Sequence, residues 1–154
     1  MDYEIHVKQL PPQHVVTRRQ HTTLGELPSA MHAAIAGIAT SVEPPGAARG
    51  APFAIFHDQP FRPDDMDVEF GLPLTPDVKV APGAGVERVL DAGPVASLVH
   101  VGPYEQIGQA YEALYRWLGA HGMSPKGPPC ETYLVGPAEA TPAEYRTEID
   151  VPVA

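Results

Sequence analysis

Cysteine is nearly absent: Cys130 is alone among 154 residues. A single thiol cannot form an internal disulfide, so the cysteine framework of a small secreted domain is excluded. Long apolar runs are absent too; none reaches the roughly 18 residues that a membrane-spanning helix requires. The opening stretch MDYEIHVKQL carries Asp2 and Glu4 and lacks the apolar centre of a signal peptide. A soluble, cytoplasmic protein with no membrane partner is the expectation. Basic residues are scarce: 10 Lys and Arg face 19 Asp and Glu, for a formal charge of −9, and Arg18-Arg19 is the only adjacent basic pair. A nucleic-acid reader needs a basic patch to replace phosphate counterions, so no direct nucleic-acid partner is expected. An acidic surface suits a cationic ligand or a basic partner surface, although the charge also serves solubility alone. Histidines are scattered, without H-E-x-x-H or paired Cys/His spacing, and there is no G-x-S-x-G elbow. Gly83-Ala84-Gly85 lacks the strand–turn–helix setting of a dinucleotide fingerprint. Neither a metal nor a cofactor is expected.

The chain is nonetheless 44% hydrophobic and long enough to bury a sizeable core without staples. Its apolar spacing reads as strands at 3–10, 14–20, 53–57 and 67–74, with a helix near 27–41 between the second and third. The stretch 43–52, EPPGAARGAP, reads as loop, and 76–86 as a linker. The second half repeats the order: paired strands over 87–101, a helix near 104–121 opened by Gly102-Pro103 and stopped by Gly122, then strands at 130–136 and 145–153. Ile107, Tyr111, Leu114 and Leu118 form the inner stripe of that helix, with Ala110 and Trp117 beside it. Setting DVEFGLPL against TEIDVPV aligns Glu69 with Glu148 and Pro73 with Pro152 by one and the same shift, half the chain in length, and that shift also puts Ile38 on Trp117. The expected architecture is a single α+β domain over 1–154. A β-β-α-β-β unit occurs twice, about 1–75 and 87–154. Two helices lie on about eight mostly antiparallel strands with pseudo-twofold symmetry.

The halves differ in their rings. All four Phe lie in the first half; five of the six Tyr, and the only Trp, lie between 104 and 145. Tyr and Trp combine a ring with a polar tip that must find a partner or stay wet, and ring walls with a few polar tips are the usual build of a small-molecule site. Taken singly, Tyr111 or Tyr115 reads equally well as a helix-boundary residue. Glu131 sharpens the case. In PPCETYLVG, alternation puts Glu131, Tyr133 and Val135 on one strand face, and the aligned APFAIFH has no acid. Such a glutamate is either exposed, or buried at a desolvation cost that raises its pKa until a cation restores the charge. Glu69 and Glu148, repeated at equivalent places, read as structural, with Arg62 and Arg146 as candidate partners. His100 reads as a satisfied strand histidine, and Cys130 has no base nearby in sequence to make it a nucleophile.

"LVHVGPYEQIGQAYEALYRWL", "PPCETYLVGP" and "PAEYRTEIDVPV" together resemble the GyrI-like small-molecule-binding domains, which serve as effector modules of AraC-type and MerR-type regulators and also stand alone. The resemblance covers most of the chain and is strongest from His100 to Val153. It implies an SHS2-like duplicated fold and an aromatic pocket around one acid, which by motif position is Glu131, with Tyr104 matching a pocket tyrosine. Tyr111, Trp117, Tyr133 and Phe56 are expected to complete the ligand-binding set around Glu131 and Tyr104, and the ligand that the resemblance implies is a lipophilic cation. Some standalone members are similar to hydrolases of strained cyclopropane electrophiles; there Glu131 would be the general base, with Tyr104 or Tyr111 polarising the substrate. The family also includes a gyrase inhibitor, which leaves a protein partner such as a topoisomerase as a third expectation. The regulators carry a helix-turn-helix ahead of this module; here the chain begins in the first strand, so direct transcriptional control is not expected.

Overall fold

Two amphipathic helices alternate with pairs of strands, and in MDVEFGLP and RTEIDVP the apolar residues recur at every second position. A computed structural model describes residues 3–43, 50–58, 62–75, 78–81, 83 and 85–154. The elements run β1 (His6–Leu10), β2 (Gln13–Thr22), α1 (Leu27–Ala39), β3 (Val42–Glu43), β4 (Phe53–Phe56), β5 (Met66–Pro73), β6 (Lys79–Val80), β7 (Val86–Leu90), β8 (Gly93–Val101), α2 (Ile107–Ala120), β9 (Cys130–Val135) and β10 (Arg146–Pro152). Apart from β3 and β6, which pair with each other, the expected β-β-α-β-β order occurs twice, and the ladders within it are antiparallel. Most of the expected 43–52 loop lies outside the described residues. Within 76–86, Lys79 and Val80 pair with Glu43 and Val42, because Val78 and Val80 pack against Val16, Ile38, Val42 and Leu72. No helix among the described residues is long and apolar enough to cross a membrane.

The chain divides into two units, Met1–Pro11 with Ala92–Ala154, and Pro12–Asp91. In one, the strand order is β1-β8-β10-β9; in the other it is β4-β5-β2-β7. The first strand of each repeat thus completes the ladder of the other repeat. The registers agree: His6 of β1 pairs with Ser97 of β8, and their counterparts in the opposite repeats, Val86 of β7 and Thr17 of β2, pair with each other. Val16 faces Leu72 as Ala96 faces Val151, and Ala54 faces Phe70 as Glu131 faces Ile149. The shift that aligns Glu69 with Glu148 holds for β5 and β10. It fails by one position for the helices, whose buried residues Ala34 and Ile38 match Leu114 and Leu118. The counterpart of Ile38 is Leu118, not Trp117, because burial rather than ring character sets the equivalence.

Around α2 the core comprises Ala96, Leu98, Ala110, Leu114, Leu118, Ile149, Val151 and Val153. Helix α2 is entered through a 3₁₀ turn over Tyr104–Gln106. It ends in a Schellman motif: Gly122 has φ +66°, its N–H donates to Gly119, and Met123 N–H donates to the Leu118 carbonyl at 3.0 Å. Met123 packs on the same core as Leu118, completing the hydrophobic contact of that motif. Helix α1 stops short of the expected residue 41, where Thr40 and Ser41 turn their hydroxyls back onto the carbonyls of Gly37 and Ile38.

Glu69 and Glu148 do not pair with Arg62 and Arg146. Arg88 lies 3.2 Å from Glu69, and Lys8 lies 3.2 Å from Glu148. Lys8 and Arg88 hold equivalent positions on the two exchanged strands, so each acid holds the strand that comes from the other repeat. His57 adds a 2.9 Å hydrogen bond to Glu69, while Arg62 reaches Asp65 instead. Asp150, next but one after Glu148 and on the same strand face, lies 3.8 Å from Lys8. Burial, with the charge of Glu148 adding to it against Ser97 and Lys8, pushes its carboxyl up to about 6. A raised acid favours the protonated native state, so its contribution to stability is lost as pH climbs from about 4 to about 6. Asp150→Asn is therefore expected to raise the melting temperature more at pH 8 than at pH 4; equal shifts at the two pH values would contradict this.

Candidate functional site

Strand alternation fixes where Glu131 points. Glu131 and Tyr133 leave β9 on the face that α2 covers, while Cys130 and Thr132 leave on the other. Tyr111, in the second turn of α2, reaches down and donates its hydroxyl hydrogen to Glu131 Oε2 at 2.5 Å; Tyr133 donates to Oε1 at 2.9 Å. Each carboxylate oxygen is thus held by one phenol. The glutamate is 8% exposed. Burial raises its pKa, and the two phenol hydrogen bonds pull it part of the way back. Tyr111 and Tyr133 are pushed well above their ordinary values, by burial first and then by the Glu131 charge, so both remain neutral donors.

Rings extend the cluster in two directions. Tyr104 stands edge-on to Tyr133, centroids 5.9 Å apart, and stacks on Tyr145 at 5.0 Å. Its hydroxyl is buried and makes no hydrogen bond among the described residues. Burial, then Tyr145, Glu139 and Glu131, push it up to about 12. Tyr115 stacks on Tyr111 at 6.3 Å and is 38% exposed, which makes it the rim of the cluster.

Of the residues singled out from the sequence, Glu131, Tyr104, Tyr111 and Tyr133 come together here. Trp117 stacks on His121 at 3.9 Å and packs against the α2 core. Phe56 ends β4 in the other unit, at the position equivalent to Tyr133. The counterpart of Glu131 is Ala54, so the acid belongs to one repeat only. His100 is satisfied as expected: Tyr3 Oη and the Pro103 carbonyl lie 2.9 Å and 3.1 Å from its two nitrogens. The Cys130 thiol is pushed up to about 12 by burial, the opposite of a reactive thiolate. Sequence reasoning missed Tyr145. It sits just before β10, and the available signal was its place in the tyrosine-rich half, beside the strand that pairs with β9.

What this arrangement can do follows from its parts. A buried carboxylate that accepts two neutral phenols is a single negative charge in a ring-lined, poorly hydrated setting. It suits a cation that brings its own apolar surface and little hydration of its own.

A family model described as the GyrI-like small molecule binding domain matches residues 3–154. No curated protein sequence matches the chain. Among solved structures, the C-terminal domain of EcmrR is similar, with a TM-score of 0.83 at 25% identity, covering 100% of this chain and 99% of that one. A hydrolase from Listeria innocua gives a TM-score of 0.70 at 11% identity, with 98% and 92% covered. SAV2435 bound to tetraphenylphosphonium gives 0.63 at 15% identity, with 100% and 94% covered. The last two share the fold.

Proposed function

The chain belongs to the GyrI-like small-molecule-binding family, and from that membership we propose that its ligand is a lipophilic cation received at Glu131. One observation carries the reading: a buried carboxylate held by Tyr111 and Tyr133, with Tyr104, Tyr145 and Tyr115 extending the ring surface around it. A soft organic cation loses little hydration on entering such a setting and gains both the charge and the ring faces. An anion would meet the Glu131 charge, and a neutral ring would leave that charge buried and uncompensated. The ligand seen in SAV2435, tetraphenylphosphonium, is a cation of this kind and serves as the probe.

The experiment is titration calorimetry with tetraphenylphosphonium across pH 5 to 9. Affinity is expected to fall as pH drops through the raised pKa of Glu131, because the protonated acid offers no charge. Absence of binding, or binding with no pH dependence, would refute the reading. Tyr111→Phe sharpens the test. The Tyr111 hydrogen bond lowers the Glu131 pKa, so its removal is expected to move the midpoint of the pH dependence upward. A downward shift would mean that the carboxylate is not the group being titrated.

A further inference from the structure

Tyr3 lies before β1 in the first repeat, yet its hydroxyl meets a residue of the second. Its Oη is 2.9 Å from Nδ1 of His100, in β8, whose ring is fully buried. The other ring nitrogen, Nε2, lies 3.1 Å from the Pro103 carbonyl. A carbonyl only accepts, so Nε2 carries the hydrogen; in a neutral imidazole Nδ1 then accepts, and Tyr3 is the donor. The chain of bonds runs in one direction: Tyr3 Oη–H to His100, and His100 Nε2–H to Pro103.

Pro103 immediately precedes Tyr104. Between His100 and Pro103 stands Gly102, with φ +133°, a conformation that side chains beyond glycine avoid. The Gly102 N–H donates to the Tyr145 carbonyl at 2.8 Å, and the Tyr145 ring stacks on Tyr104. The turn that delivers Tyr104 is therefore held from the Tyr3–His100 side and from the Tyr145 side. By the register that equates His6 with Val86 and Thr17 with Ser97, the other repeat has Gly83 in place of Tyr3 and Gln20 in place of His100. The link lies in the unit that carries the acid. An apolar pair would fill the same volume without the desolvation of an imidazole; what two directed hydrogen bonds add is orientation.

We infer that Tyr3 and His100 are positioning residues of the ligand site: through Pro103 they set the turn that holds the Tyr104 ring against Tyr133, the donor to Glu131. The inference rests on the reading of the Glu131 cluster as that site.

Tyr3→Phe keeps the ring and removes the hydroxyl. Its affinity for tetraphenylphosphonium is expected to fall roughly 3- to 10-fold, the scale of one lost hydrogen bond. Amide hydrogen exchange at Gly102 and Gln106 is expected to quicken in the ligand-free protein. In a Tyr104→Ala background, Tyr3→Phe should have no further effect on affinity, since the residue it acts through is gone. His100→Gln retains one N–H donor and one acceptor and should keep most of the affinity that His100→Ala loses. Unchanged affinity together with unchanged exchange in Tyr3→Phe overturns the inference, as does an effect that simply adds to that of Tyr104→Ala. If the unaltered protein does not bind the probe, the site reading fails by itself, and exchange at Gly102 still decides whether Tyr3 controls the turn.

Discussion

Glu131→Gln is expected to weaken tetraphenylphosphonium binding at pH 8 by about 1.5–3 kcal/mol, roughly 10- to 150-fold, the scale of an interaction with a desolvated charge. The substitution keeps the shape of the side chain and an acceptor for one of the two phenols. It removes the charge that the two phenols hold. Three further results belong to the same experiment. The variant should lose the pH dependence of binding. A neutral triphenyl compound of similar size should lose no affinity in the variant, since no buried charge is then left uncompensated. The unliganded variant should be no less stable than the original at pH 8, because burying an ionised carboxylate has a cost that a neutral amide avoids. Calorimetry and thermal scans on the two proteins read all of these. Following product from a strained cyclopropane electrophile alongside adds a second axis. If Glu131→Gln leaves binding intact and abolishes turnover, the glutamate is a general base and the binding-only reading gives way to hydrolysis.

The largest loss of stability is expected from Leu114→Ala, about 2–5 kcal/mol, from lost burial and the cavity left behind. Leu114 is fully buried in the core under α2, with Ala110 and Leu118 on the same stripe and Ile149 and Val151 opposite. For a domain of this length each kcal/mol moves the melting temperature by about 2–4 °C. The control is Leu134→Ala, a leucine 44% exposed on β9, for which a change within about 0.5–1 kcal/mol is expected. Comparable losses for the two would mean that α2 does not close this core. Since α2 also carries Tyr111, the truncation should weaken cation binding in step with stability.

Much of the fold was legible because periodicity and punctuation agree. The stripe Ile107, Tyr111, Leu114, Leu118 requires a helix, and Gly122 supplies the left-handed residue that ends it. Alternation in β9 correctly paired Glu131 with Tyr133 on one face. The strand exchange was not legible: local pattern shows that β1 is a strand, but not that its ladder is completed by a strand of the second half, at His6↔Ser97. The acid partners failed for the same reason, since Lys8 and Arg88 reach Glu148 and Glu69 only through exchanged strands. Trp117 was drawn toward the site by ring chemistry. Helical geometry separates it, because its distance along the helix from Tyr111 is about one and two-thirds turns, which places it on a different side. Tyr145 was overlooked because it was read as the first residue of the last strand, whereas it lies just before β10, outside the strand alternation.

The reciprocal pairing of β1 with β8 and β7 with β2 has a consequence for how the chain acquires its structure. When synthesis has delivered only the first repeat, β2 and β5 can pair, but the ladder position beside β2 belongs to a segment not yet made. The same applies to β1, whose partner begins at Gly93. Neither unit's ladder can be completed before the other repeat exists, so completion joins segments far apart in sequence and is shared rather than sequential. A lone repeat would meet the same vacancy with a second copy of itself, exchanging first strands across a twofold axis. In the present chain the linkage between repeats turns that encounter into an intramolecular one, independent of concentration. It also lets the two repeats differ, so that one carries Ala54 where the other carries Glu131.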